Sequence, residues 1–149
     1  MSGLHSGEIE CLARRMLWDV TPNDSTIMFC LSPIRWPGVF ARDELPDLTH
    51  MQRPFALVFN TDPHDKPGTH WLAIYGPSDE FLEFFDSFGM PPSYYGFFTS
   101  LVYSCISLES FSSELCGNYT IYFIYHRSRN VSFKKACHFS SLIQILIYM

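Results

Sequence analysis

The sequence has no apolar run of the length that a membrane-spanning helix needs, and the C-terminal stretch at 142–149 is too short to cross a bilayer. The N-terminus lacks the basic and then apolar layout of a signal peptide. The five cysteines are an odd number at wide spacings, so no disulfide framework is indicated, and no paired short spacing of the zinc type is present. These absences predict an intracellular, reduced protein without a membrane anchor, a metal or a cofactor.

Basic residues are also scarce, because ten Lys and Arg stand against fifteen Asp and Glu, for a formal net charge of −5. Nonspecific attraction to nucleic acid or to an anionic membrane is therefore not the default expectation. Four of the ten form a basic patch, at Arg127, Arg129, Lys134 and Lys135. A solvated helix end is the favoured interpretation of this patch, and contact with DNA or an acidic partner is the open alternative.

The chain of 149 residues, 47% of them apolar, is long enough for one domain with its own core, and we expect a single domain over 1–149. Helical spacing of apolar residues predicts an N-terminal helix over 6–17. Runs of apolar, β-branched and aromatic residues, separated by turns that contain Pro and Gly, predict three consecutive antiparallel strands at 55–60, 70–75 and 81–85.

Downstream of these strands, Pro91 and Pro92 predict the start of a helix that continues over 94–103, and the segment 106–108 is interpreted as a fourth strand. Cys116 then opens a helix that runs to about His126 and is apolar nearly all round, which predicts a buried central helix. Helix and sheet are segregated along the chain. The predicted fold class is therefore α+β, with the central helix packed on a small, mainly antiparallel sheet.

The position of Cys116 at the start of a predicted helix indicates a reactive thiol. The helix dipole and the unpaired N–H groups of the first turn stabilise a thiolate there. His70 begins one predicted strand and Asp86 follows the end of the next, so the two side chains can lie next to each other. An imidazole that accepts the thiol proton, held in place by a carboxylate, is the partner that a nucleophilic cysteine needs.

Three short motifs that contain these residues occur in order along the chain. They are Gly-x-His-Trp at 68–71, Phe-Asp-Ser-Phe-Gly at 85–89 and Ser-x-x-Cys-Gly-x-Tyr at 113–119. Together they resemble the signature of the adenain-like cysteine proteases, the group of the adenovirus protease, and desumoylating proteases share the same order of His, Asp and Cys. The stretches at 36–46 and 58–62 are similar to versions encoded by large DNA transposons and related viruses. The resemblance extends over about 36–129, and the region after about 130 is expected to be divergent or truncated.

The resemblance implies an adenain-like fold and a role for each residue that matches. Cys116 is then the nucleophile, His70 its base and Asp86 the partner of the base. Trp71 and Gly117, which follow the base and the nucleophile in the sequence, are placed at the substrate groove.

The oxyanion position departs from the family pattern. The family has a glutamine a few residues before the cysteine, and its amide helps the cysteine N–H to stabilise the oxyanion. The matching position, seven residues before the nucleophile, is Glu109. A carboxylate there would repel a developing oxyanion, and loss of one such donor costs about a hundredfold to a thousandfold in rate. The sequence therefore predicts reduced activity.

Three functions follow as alternatives. The leading prediction is a cysteine endopeptidase that cleaves virus-like or transposon structural precursors through a thioester, in the nucleus, the cytoplasm or a virion. The second is a protease of ubiquitin-like modifiers. The third is a catalytically impaired relic that binds peptides or proteins. The implied partners are a polypeptide substrate and, by the same resemblance, an activating peptide, with nucleic acid left open.

Overall fold

The computed structural model describes residues 4–18, 34–97, 100–111 and 113–140. The described helices are α1 (Ser6–Trp18), α2 (Cys116–Ser128) and α3 (Phe133–Ser140). The described strands are β1 (Val39–Phe40), β2 (Phe55–Asn60), β3 (Trp71–Gly76), β4 (Leu82–Phe85) and β5 (Leu101–Tyr103). Short 3-10 turns lie at Arg42–Glu44 and Pro92–Tyr95. Within these ranges, every helix is too short or too polar to span a membrane.

The strands form one five-stranded sheet in the order β1-β2-β3-β4-β5. The central pairs β2/β3 and β3/β4 are antiparallel, whereas the edge strands β1 and β5 run parallel to their neighbours. The α+β class is thus confirmed, and so are the three consecutive antiparallel strands, but the sheet as a whole is mixed because two short parallel strands that were not predicted lie at its edges. The parallel edge strands are two and three residues long, and such short strands carry little sequence signal.

The sheet separates two apolar clusters, and this explains why β2 is buried along its whole length. Side chains on a strand alternate between the faces. Ala56 and Val58 therefore point to the helices, together with Ala73 of β3, whereas Phe55 and Phe59 point to the opposite face. These three helix-facing residues are small, so a helix can lie close to this part of β2 and β3.

Helix α2 packs on that face, between α1 and α3. Seven of its thirteen residues are buried, with the largest side chains at Tyr119, Phe123 and Ile124. The Phe123 ring stacks on Phe85 of β4 with ring centroids 4.5 Å apart. The prediction of a buried central helix that begins at Cys116 is therefore confirmed.

The predicted helix over 94–103 is wrong. A 3-10 turn ends at Tyr95 because Gly96 takes a left-handed conformation with φ of 83°, and its N–H caps the turn. Leu101–Tyr103 is instead strand β5, in parallel register with β4. This apolar segment therefore pairs with β4 and does not continue the helical turn.

The predicted strand at 106–108 is also wrong, because this segment is irregular and contacts the turn after β4. Helix α3, by contrast, was not predicted. It buries Ala136 and Cys137 against the core, and the C-terminal region that was expected to be divergent thus continues the packed structure as far as Ser140. Residues 141–149 lie outside the described ranges.

A buried ion pair turns the first arginine of the basic patch inward. Nε and Nη2 of Arg127 donate to the two carboxylate oxygens of Glu83 at 2.6 and 2.7 Å, and Glu83 is 2% exposed. The Arg129 guanidinium lies over the ring of Tyr125 at 3.7 Å. Of the four residues in the basic patch, the two lysines are exposed and the two arginines are partly buried, which reduces the charge that this patch offers to nucleic acid.

Replacing Arg127 with alanine is expected to lower the free energy of unfolding by about 3–5 kcal/mol, because Glu83 would be left as a buried, unpaired carboxylate. Urea denaturation measures the change. Lys134→Ala removes an exposed charge from the same basic patch and should change stability by about 0.5 kcal/mol or less. Equal effects of the two substitutions would contradict the assignment of a buried ion pair.

Candidate active site

His70 and Asp86 meet at one edge of the sheet. His70 lies immediately before β3 and Asp86 immediately after β4, and these ends coincide because the two strands are antiparallel. Nε2 of His70 is 2.6 Å from Oδ1 of Asp86, and both residues are about 5% exposed or less. The ring stacks face to face on Phe88 at a centroid distance of 3.9 Å. The hydrogen bond to Asp86 at one ring edge and the stacking on Phe88 at one ring face thus fix the orientation of the imidazole.

The carboxylate of Asp86 is held by the turn that follows it. Oδ1 also accepts the Phe88 N–H, while Oδ2 accepts the Met90 N–H and the Tyr95 hydroxyl, at 2.8 to 3.0 Å. Gly89 makes this turn, with φ of +72°, and a Cβ there would lie 2.8 Å from the backbone of residues 106 and 107. Glycine is therefore required at the end of the Phe-Asp-Ser-Phe-Gly motif, by conformation and by space.

Cys116 opens α2 on the same side of the sheet. The hydroxyl of Thr120 donates to the Cys116 carbonyl at 2.7 Å and lies 3.3 Å from the Trp71 carbonyl, which ties the first turn of α2 to the start of β3. The thiol is free and 7% exposed. The Cys116 sulfur, a ring nitrogen of His70 and a carboxylate oxygen of Glu109 all lie within 4.8 Å of one another.

Glu109 reaches this group from the loop before α2. The loop is fastened to the turn after β4, since the Leu108 N–H donates to the Ser87 carbonyl at 2.8 Å. The Ser87 hydroxyl donates to Oε1 of Glu109, whereas Oε2 is buried without a hydrogen-bond partner. The side chain that stands at the expected oxyanion position therefore faces the thiol and is 6% exposed.

The electrostatics of the site favour a charged histidine. Burial lowers the pKa of His70, but the hydrogen bond to Asp86 and the nearby Cys116 sulfur outweigh burial and raise that pKa to about 9. Since Nε2 is engaged with Asp86, Nδ1 is the nitrogen left to take up the thiol proton, and in this conformation Nδ1 is buried and makes no hydrogen bond. An imidazolium next to a thiolate is the arrangement of an activated cysteine.

The two predicted groove residues have different surroundings. Trp71 is half-buried, donates from Nε1 to the Leu4 carbonyl at 2.9 Å, and lines a cleft of about 500 Å³ together with Phe40 and Gly68. Gly117 is buried, and a Cβ on it would lie 3.1 to 3.3 Å from side-chain atoms of Leu4, Ile9 and Trp71. Because Gly117 has no side chain, α1 and Trp71 can pack closely against α2. The structure thus gives Gly117 a role in packing.

Sequence reasoning did not single out three residues that hold the site together. Ser87 and Phe88 lie inside the Phe-Asp-Ser-Phe-Gly motif, and their position beside the aspartate was the available signal. Tyr95, which donates to Asp86, lies in a tyrosine pair after two prolines, and nothing in that pattern indicates such a contact.

A scan against models of protein families finds none that matches this chain, and a search of curated proteins finds no similar sequence. A buried carboxylate paired with an imidazole that lies close to a thiol allows a proton to pass from sulfur to nitrogen, so that the sulfur can act as a nucleophile.

Proposed function

We propose that this chain is a cysteine endopeptidase, with Cys116 as nucleophile, His70 as general base and Asp86 as the residue that orients the base. The observation that carries the proposal is the convergence of these three side chains, which come from the starts of α2 and β3 and the end of β4. Each has a plain structural explanation when taken alone. Their meeting in a buried group, with the imidazole between the carboxylate and the thiol, is what favours catalysis.

In the proposed reaction the Cys116 sulfur attacks a peptide carbonyl carbon while its proton rests on Nδ1 of His70. The tetrahedral intermediate collapses to a thioester, and the leaving amine takes that proton. Water then attacks the thioester, gives a proton to the imidazole and releases the carboxylate product and the thiol. The first N–H groups of α2 have no partner within the helix and are the donors nearest the nucleophile for the oxyanion.

The proposed substrate is an extended polypeptide that lies along the cleft beside Trp71. The cleft is lined by Gly68 and Trp71, on either side of His70 in the sequence, and by β1 and the loop at 62–68, whereas His70 and Cys116 themselves lie outside its lining. By resemblance, glycine-containing sites in virus-like or transposon structural precursors are the proposed targets. A small residue next to the scissile bond suits a thiol that is 7% exposed.

Competition among the cysteines tests the proposal. A peptide with glycine before an electrophilic carbon, added at limiting concentration, should modify Cys116 faster than the exposed Cys11 and Cys105, as measured by mass spectrometry of proteolytic fragments. Burial raises the pKa of Cys137 to about 12, so that thiol serves as an unreactive internal control. Preferential labelling of the exposed thiols would sink the proposal, because an unactivated thiol reacts according to its exposure.

A second candidate function, a peptide-binding module without turnover, is favoured by one observation. Glu109 places a carboxylate beside the thiol, where an amide would stabilise an oxyanion. In such a module Cys116 would resist acylation by a peptide thioester even though the peptide binds the cleft beside Trp71. Binding measured by fluorescence polarisation, together with the acylation rate, separates the two candidates.

A further inference from the structure

We propose that His70, Glu109 and Cys116 form a binding site for a zinc ion. Their side chains offer a nitrogen, a carboxylate oxygen and a sulfur, and these three atoms lie within 4.8 Å of one another. Imidazole, carboxylate and thiolate are the three ligand types that zinc takes in proteins. The family resemblance predicted that these three residues meet in an active site, but nothing in the sequence indicated metal ligands, because they are 39 and 7 residues apart along the chain.

Two of the ligand atoms are buried and have no other partner. Oε2 of Glu109 and Nδ1 of His70 make no hydrogen bond, although both side chains are more than nine-tenths buried. A buried polar atom without a partner is destabilising. A cation placed among the three atoms would satisfy both of them and the thiolate at once.

The charge of the group also favours a divalent cation. As metal ligands, the Cys116 thiolate and the Glu109 carboxylate would bring two negative charges into one buried region. Such charges repel strongly where water is excluded. A divalent cation would balance the negative charges of its two anionic ligands, Cys116 and Glu109. One proton on His70 balances only one negative charge.

His70 and Glu109 already make the hydrogen bonds that metal-ligating residues typically make to surrounding groups. A ligating histidine usually donates its other ring N–H to a carboxylate, and Nε2 of His70 is paired with Asp86 at 2.6 Å. A ligating carboxylate is usually hydrogen-bonded in turn, and Ser87 donates to Oε1 of Glu109. Nδ1 and Oε2 are thus the atoms directed to the site.

The donor set selects zinc among the common divalent ions. Magnesium and calcium prefer sites built from oxygen atoms, whereas a thiolate with an imidazole favours zinc. Tetrahedral zinc, with bonds of about 2.0–2.3 Å, holds its ligand atoms roughly 3.5 Å apart, so the group has to contract by about 1 Å. A water molecule is the expected fourth ligand.

A zinc ion in this position would cap the thiol and occupy Nδ1 of His70. Zinc would then hold the peptidase in an inactive state, and this consequence is the one part of the inference that rests on the proposed function. The site itself requires no catalysis, and metal binding is measured separately from acylation.

Titration of the metal-free protein with Co²⁺ and Zn²⁺ tests the site. Co²⁺ should give a thiolate charge-transfer band in the near ultraviolet, and Zn²⁺ should displace it at one ion per chain. Cys116→Ser is expected to abolish the band, and Glu109→Gln to weaken zinc binding at least about tenfold by calorimetry. Zinc should also protect Cys116 of the unaltered protein from alkylation, a readout that requires no variant to fold.

Exposed cysteines provide the matched control. Cys11→Ser with Cys105→Ser should leave the band and the stoichiometry unchanged, because both thiols lie on the surface. A band that survives Cys116→Ser, a zinc affinity that is the same in Glu109→Gln, or no zinc protection of Cys116 would overturn the inference. Normal peptide labelling of Cys116 with no zinc binding would reject the metal site and leave the proposed function intact.

Discussion

Replacing His70 with alanine should lower the rate at which a glycine-containing peptide thioester acylates Cys116 by about a thousandfold or more, or ~4 kcal/mol in the activation free energy. The imidazole is the group placed to accept the thiol proton, and its pKa is raised by Asp86 and the Cys116 sulfur. Without it the thiol loses both its base and the positive charge that stabilises the thiolate. Acylation is measured by the thiol released from the thioester, in the presence of a metal chelator.

The control for this loss is His50→Ala. His50 is exposed and pairs with Asp47 at 2.7 Å, so removing it deletes an imidazole without changing the site. Added imidazole should recover part of the rate in His70→Ala, because the ring that it replaces is held between Phe88 and Asp86. An acylation rate that falls less than about tenfold, with no rescue by imidazole, would contradict the role of His70 as the base.

Elements with strong local patterns were predictable from the sequence. The bounds of β2 agree with the prediction at both ends, since Phe55–Asn60 is apolar throughout and ends at a turn-rich segment. The start of α2 at Cys116 also agrees, because an apolar run follows a loop of small polar residues. In both cases the signal lies within the element itself.

Elements that depend on distant partners were not predictable. Strand β5 is three residues long and is defined by its parallel pairing with β4, which lies across the turn at Pro92–Tyr95. The preceding prolines and aromatic residues suit a helix start equally well, and only Gly96 indicates that the turn ends. Short parallel edge strands are held by tertiary contacts more than by propensity.

The candidate site divides in the same way. The meeting of His70 and Asp86 was predictable, because antiparallel neighbours bring the start of one strand to the end of the next. The approach of Glu109 to Cys116 was expected only from the family resemblance. The contact of Glu109 with Ser87 was not expected, because it depends on the path of an irregular loop. This loop passes close to the turn at Gly89, where there is no side chain in the way.

Replacing Glu109 with glutamine is expected to raise the acylation rate of Cys116 by about tenfold to a hundredfold, since one oxyanion donor is worth about a hundredfold to a thousandfold. The glutamine carbonyl can keep the hydrogen bond from Ser87, and the amide NH₂ then takes the place of Oε2, which is buried without a partner. A repelling carboxylate becomes a donor in the same place. The acylation rate with a peptide thioester is measured in chelator, so that metal does not affect the comparison.

Alkylation by iodoacetamide separates this effect from a change in the thiolate, because alkylation at sulfur forms no oxyanion. Glu109→Gln should therefore raise acylation much more than alkylation. Glu114→Gln removes the same charge from an exposed position two residues before Cys116 and should leave both rates unchanged. Equal changes in the acylation and alkylation rates would mean that Glu109 affects only the reactivity of the thiol and not the stability of the oxyanion. No change in acylation, with the fold intact by circular dichroism, would mean that the helix N–H groups suffice and that Glu109 does not limit catalysis.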